Sequence, residues 1–306
     1  MALKCRVGRA TAKPTTTLNI TKLLLDEKIM SLKGIAKITL QILDESRYTA
    51  PSGKIVEFSQ EQQAAVAGTI LYTPEQALNL LDKDNCDNNA HQTIIKVTNE
   101  TTQVAANRLV QDDKCNDLVL LNFASARNPG GGFINGAKAQ EEYLARCSGL
   151  YPCLLTQPEY YEKNRNQSSL LYTDHLIYSP KVPWFRNRNR DLLESYYTAS
   201  VITAPAPNAG QALRLDANAW PKIEASLRRR AGMVLAVAHK NAHRSILLGA
   251  WGCGVFRNNP KMVADAFGVW LESPSFKCHF DRVVFAVYDT SMKKETLSAF
   301  QERFQT

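Results

Sequence analysis

The chain has 306 residues, 44% hydrophobic and 22% charged, an ordinary balance for a globular protein that can build a core without disulfides or metals. No apolar run approaches the roughly 20 residues that span a bilayer, so a membrane partner is not expected. The net charge of +8 favours a polyanion as partner, whether nucleic acid, an anionic surface or a phosphate-rich polymer.

The first 25 residues carry Lys4, Arg6, Arg9, Lys13 and Lys22 and no acid before Asp26. An organelle transit peptide has similar charge, but this segment has no serine and no amphipathic stripe. It reads as a disordered basic arm, with organelle targeting left open, and residues 26–306 read as one domain. Helix-like patterns at Ile35–Leu43 and Gln60–Ala67 form an N-terminal helical extension to that domain.

Short apolar runs then alternate with helical stretches. Thr93–Thr98, Asp117–Phe123, Thr198–Thr203, Ser245–Leu248 and Arg282–Tyr288 read as strands, several of them apolar enough to be buried on both faces. Trp220–Lys240, Met262–Leu271 and Met292–Phe304 read as helices. That alternation predicts an α/β fold with three α/β/α layers.

The seven cysteines (Cys5, Cys86, Cys115, Cys147, Cys153, Cys253 and Cys278) form no CxxC pair and are odd in number. A reducing intracellular compartment, cytoplasmic or nuclear, is expected. His239 and His243 share a helix face, but without an HExxH pattern they predict no metal site.

Leu121–Leu150 holds the most informative pattern. A strand ends near Phe123, Asn128-Pro129 turns the chain, and Gly130, Gly131 and Gly132 follow. Successive glycines let backbone N–H groups approach a ligand, and a loop at the carboxyl end of a strand is where α/β sheets bind one. Phosphate is the expected guest of these amides. The alternative is an ordinary flexible turn. The G-x-x-x-x-G-K-[ST] pattern is absent, which disfavours a nucleoside triphosphate.

Gln140-Glu141-Glu142 comes next. Adjacent helical residues point about 100° apart, so the carboxylates are expected to divide the work. One binds a ribose diol while the other moves a proton at the anomeric carbon. A solvated acidic helix start is the competing reading. A second loop, Gly249–Pro260, follows another strand. Gly252, Cys253, Gly254 and Val255 are placed to wrap a diphosphate, and Phe256 to stack on a sugar or base. Cys253 has no His or acid beside it in sequence and reads as a small loop residue, not a nucleophile. Two such loops and a carboxylate pair suit a ligand like ADP-ribose.

At these residues the chain resembles the microbial branch of the poly(ADP-ribose) glycohydrolase family. Gly130–Gly132, a seven-residue spacer and Gln140-Glu141-Glu142 match its signature. The stretches GAWGCGVF, RYTAPSGK (Arg47–Lys54) and VITAPAPNAG (Val201–Gly210) also resemble its members, so the likeness covers about residues 34–306. It implies a macrodomain-like fold and a hydrolase of ribose–ribose bonds. Such an enzyme acts from chain ends, releases ADP-ribose, works as a monomer without a cofactor or metal, and reverses poly-ADP-ribosylation of proteins, including in the DNA damage response. By the same resemblance Glu142 is the acid/base, with a pKa raised by burial. Glu141 holds the ribose hydroxyls, Gln140 and Gly130–Gly132 contribute to substrate binding, Gly252–Val255 cradle the diphosphate and Phe256 packs on the terminal ribose. Animal-type members have Asn where Ser125 stands, and a serine still offers the distal ribose a hydrogen bond.

Two other functions compete. A non-catalytic ADP-ribose reader would release no ADP-ribose from polymer, and most readers lack the glutamate pair. A hydrolase of single ADP-ribose on protein or nucleic acid would prefer singly modified substrates. Plain nucleic-acid binding is disfavoured because no aromatic–basic motif appears.

Overall fold

A computed structural model of the protein describes residues 31–81 and 92–305. The basic arm, Cys5 and Cys86 lie outside them. In chain order the elements are α1 (Leu32–Glu45), β1 (Arg47–Thr49), β2 (Ile55–Glu57), α2 (Ser59–Ala67), β3 (Ile70–Tyr72), α3 (Pro74–Leu81), β4 (Ile94–Thr98) and α4 (Thr102–Gln111). Then come β5 (Leu118–Phe123), α5 (Gln140–Cys147), α6 (Leu150–Leu155), α7 (Pro158–Arg165), β6 (Leu176–Arg186) and β7 (Leu192–Ala204). The chain continues through α8 (Ala209–Leu215), α9 (Trp220–Lys240), β8 (Ser245–Gly249), α10 (Pro260–Leu271), β9 (Arg282–Ala286) and α11 (Glu295–Phe304).

Seven strands form one sheet in the spatial order β3-β6-β7-β5-β8-β9-β4. The five from β7 to β4 run parallel, while β6 and β3 add antiparallel strands at one edge. Side chains on a strand alternate between faces, and β5 shows what that does to a continuous apolar run. Val119 and Leu121 join the core under α3, α8, α9, α10 and α11. Leu118 and Leu120 join the core under α2, α4, α5, α6 and α7. The expected three-layer α/β/α, macrodomain-like arrangement follows, with Ile246 and Leu248 of β8 on the first side and Leu247 on the second.

Among the differences between the sequence reading and the structure, two concern this edge of the sheet. The N-terminal extension is not purely helical. α1 packs on the β1–β2 hairpin and on Phe185 of β6, where Phe58 and Phe185 stack with centroids 5.5 Å apart, and β3 enters the main sheet. The long strand β6 was also missed, because Pro180 and Pro183 interrupt its pattern and proline is rarely tolerated inside a sheet. A register shift between Ser179 and Val182 lifts Pro180 and Lys181 out of the ladder, and Lys181 takes φ 43° there.

Candidate active site

The carboxyl ends of β5, β8, β9 and β4 open into one cleft of about 900 Å3, within the range of small-molecule sites. Its floor is the start of α5. Glu141 and Glu142 are only 2% and 8% exposed, so the solvated helix start is excluded.

Each oxygen of Glu142 accepts one backbone N–H, Oε1 from Gly132 at 2.9 Å and Oε2 from Ala139 at 3.0 Å. The second bond closes α5 as the acidic half of a capping box does. Glu141 is held in parallel. Its Oε1 accepts from Asn122 Nδ2 at 3.1 Å and its Oε2 from the Ser125 N–H at 2.6 Å. Burial pushes the Glu141 carboxyl up to about 8, against those bonds and aided by the charge of Glu142. The sequence reading anticipated no shift at Glu141.

The glycine loop Gly130–Gly132, expected as a phosphate cradle, spends two of its three amides within the protein. The amides of Gly131 and Gly132 are turned inward. Gly131 N–H donates to Asn128 O at 3.0 Å and Gly132 N–H to Glu142. Glycine is required here for a further reason. Gly131 sits at φ 60°, and a Cβ on it would lie 2.9 Å from Glu142 Cδ and 3.1 Å from Glu141 Oε2. Both carboxylates therefore close on one residue, despite the angle between adjacent helical positions.

Gln140 is also spent on the protein. Its Oε1 accepts from Phe123 N–H at 2.8 Å, and its Nε2 donates to Leu121 O at 2.8 Å and Thr102 Oγ1 at 3.2 Å. It latches α5 to the end of β5. Ser125 Oγ accepts from the N–H groups of Arg127 and Asn128 at 3.2 and 3.1 Å, which leaves its O–H to donate.

Across the cleft, Gly252, Cys253, Gly254, Val255 and Phe256 form the second loop. Among the described residues no hydrogen bond uses the N–H of Gly252, Gly254, Val255 or Phe256, so amides are available on this side. Asn258 fixes the loop, donating from Nδ2 to Pro207 O at 2.8 Å and Gly252 O at 3.1 Å. Gly252 takes φ 71°, and a Cβ there would meet Ala206 and Asn258. The Phe256 ring leans on Tyr172 at 6.0 Å between centroids. Behind them the fully buried Arg230 bonds Asp174 (3.0 Å), Leu171 O (2.9 Å), Ser226 (3.2 Å) and Pro205 O. Burial pushes the Cys253 thiol up to about 12, a setting that disfavours the thiolate a nucleophile needs.

Several residues that line or back the cleft escaped the sequence reading. Asn122 was the legible one, a polar residue inside the apolar run LVLLNF. Tyr143, Glu100, Arg188 and Tyr288 carried no local signal, although Arg188 packs 4.3 Å over the Tyr288 ring and both line the cleft. Among the described residues, no group of three His, Cys, Asp or Glu is placed to hold a metal, and no helix is long and apolar enough to cross a membrane.

A family model described as the microbial-type PARG catalytic domain matches residues 36–187. The structure is similar to that of the poly(ADP-ribose) glycohydrolase from Thermomonospora curvata, with TM-score 0.85 and 45% identity over 89% of this chain and 99% of that one. The same enzyme bound to the inhibitor ADP-HPD matches with TM-score 0.82. The Deinococcus radiodurans enzyme in complex with ADP-ribose matches with TM-score 0.74 and 46% identity over 80% of this chain and 97% of that one. A comparison with curated protein sequences finds no significant match.

Proposed function

The chain belongs to the microbial-type poly(ADP-ribose) glycohydrolase family, and on that premise we propose how its cleft performs the reaction. The protein is a glycoside hydrolase that cleaves ribose–ribose O-glycosidic bonds of poly(ADP-ribose) and releases ADP-ribose. One observation carries the mechanism: Glu142 lies in the cleft floor with each carboxylate oxygen anchored by a single backbone N–H. Each oxygen keeps a free lone pair for a proton.

In this reading Glu142 gives its proton to the leaving ribose oxygen as the bond to the anomeric carbon breaks. The resulting carboxylate then takes a proton from the water that adds to that carbon. The oxocarbenium-like transition state needs one well-placed carboxyl group, unlike the usual two-carboxylate glycosidase. Glu141, its carboxyl pushed up to about 8 by burial, holds the ribose hydroxyls beside Glu142. Ser125 donates its O–H to the distal ribose. The amides of Gly252, Gly254 and Val255 receive the diphosphate, and Phe256, braced by Tyr172, packs on the terminal ribose.

The enzyme acts from chain ends, as a monomer, on poly-ADP-ribosylated proteins in a reducing intracellular compartment, and its activity reverses that modification after DNA damage. The five described free cysteines support such a compartment. The raised pKa of Glu141 favours a second assignment, with Glu141 as the acid. The test measures ADP-ribose released from poly(ADP-ribose) and from singly modified protein by wild type, Glu142→Gln and Glu141→Gln. Release from polymer, abolished in Glu142→Gln, is expected. Activity confined to singly modified protein would overturn the substrate, and an active Glu142→Gln would overturn the acid.

A further inference from the structure

Arg146 lies one helical turn beyond Glu142 on α5, on the same face, and is 1% exposed. A buried guanidinium ordinarily has a carboxylate in contact, because an unpaired buried charge is costly. Here Nε and Nη1 have no hydrogen-bond partner among the described residues. Only Nη2 bonds, to the carbonyls of Ala137 and Phe133, the latter at 3.4 Å.

Those two carbonyls belong to the spacer between the glycine loop and α5. The N–H groups at the two ends of that spacer, on Gly132 just before it and on Ala139, its last residue, hold the two oxygens of Glu142. Two side chains a turn apart thus grip one loop from opposite polarities. Arg146 takes its carbonyls and Glu142 its amides. Loosening the first grip frees the loop that sets the second. Apolar packing alone would hold the spacer without burying a charge, so the guanidinium reads as a directional constraint on Glu142.

We propose that Arg146 is a positioning residue for glycosidic cleavage, holding the Phe133–Ala137 spacer so that Gly132 and Ala139 present Glu142 to the scissile bond. The proposal rests on Glu142 being the acid/base. A misplacement of about 1 Å in a catalytic group costs on the order of 100-fold in rate while leaving remote binding intact. The signature is therefore a fall in kcat without a rise in KM.

Arg146→Met, Arg146→Lys, Glu142→Gln and a stability control in β6, Val182→Ala, are compared for melting temperature, ADP-ribose affinity by calorimetry, and kcat and KM on poly(ADP-ribose). Arg146→Met is expected to lose about 10–100-fold in kcat, with KM and ADP-ribose affinity within about threefold. Arg146→Lys, which keeps the charge and a donor, should recover part of that loss. Val182→Ala should lose comparable melting temperature and keep its kcat. If Arg146→Met does not fold, Arg146→Lys decides alone, with an expected loss of about 3–10-fold in kcat at unchanged KM. A wild-type kcat in the folded Arg146 variant, or an equal kcat loss in Val182→Ala, overturns the proposal. An active Glu142→Gln sinks the functional reading itself, whereas an inactive Glu142→Gln beside a normal Arg146 variant sinks only this inference.

Discussion

Gly132 donates its N–H to Glu142 Oε1 at 2.9 Å, a bond between the glycine loop and the carboxylate that the loop precedes by ten residues. The loop is a mould for the side chain, and the consequences of disturbing either partner follow from that geometry.

Glu142→Gln keeps the side-chain volume but turns an amide NH2 toward either the Gly132 or the Ala139 N–H, two donors facing each other. The melting temperature should fall slightly. Turnover should fall by at least about 10²–10⁴-fold, the scale of losing a general acid/base, with ADP-ribose affinity nearly unchanged. Glu141→Gln should instead perturb both affinity and rate. Calorimetry and product release on the two variants check this contrast.

Gly131→Ala places a Cβ at φ 60° against both carboxylates. It should cost more than about 1 kcal/mol from the backbone alone and abolish turnover by displacing the glutamates. In the opposite loop a Cβ on Gly254 would meet nothing within 4 Å, so Gly254→Ala should melt within a degree or two of wild type. Equal thermal shifts in the two variants would contradict the mould.

The buried Glu141 should make stability fall as pH rises. Its folded pKa of about 8 lies above the ordinary glutamate value of 4.5, so between those values the folded state holds a proton that the unfolded state has released. The unfolding free energy then declines with pH by up to about 1.4 kcal/mol per unit. The contribution is fully present below the lower value and lost through the upper one. Denaturation at pH 5, 6.5 and 8 should show a decline that Glu141→Gln removes. Parallel curves for the two proteins would refute the buried protonated carboxyl.

Arg230→Met strips Asp174 of its buried partner and frees the carbonyls of Leu171 and Pro205. Asp174 keeps Arg229 at 2.7 Å, so the cost is set by those buried carbonyls left without a donor, about 1–3 kcal/mol each, and a clear drop in melting temperature is expected. Where the variant remains folded, ADP-ribose should bind more weakly, because Tyr172 and the Pro205–Pro207 segment back Phe256 and Gly252. Wild-type affinity in the folded variant would show that the second loop does not need that support.

What the sequence determined by itself was whatever depends on near neighbours. A strand such as Leu118–Phe123 or Ser245–Gly249 announces itself because burial on both faces demands an unbroken apolar run. Trp220–Lys240 does so because a helix repeats its buried stripe within a few residues. The glycine triplet and the glutamate pair were legible for the same reason, their chemistry lying within thirteen residues. Only the tertiary structure decided where the polar groups of that segment are spent. Gln140 latches onto β5 and α4, Asn122 reaches Glu141 and Thr203, and the Gly132 amide holds the Glu142 carboxylate. The second loop took its shape from Asn258 and Ala206, and β6 survived its prolines because a bulge against β7 absorbs one of them. Hydrogen bonds and buried charges choose partners by proximity in space, and a single sequence does not encode that proximity in any local period.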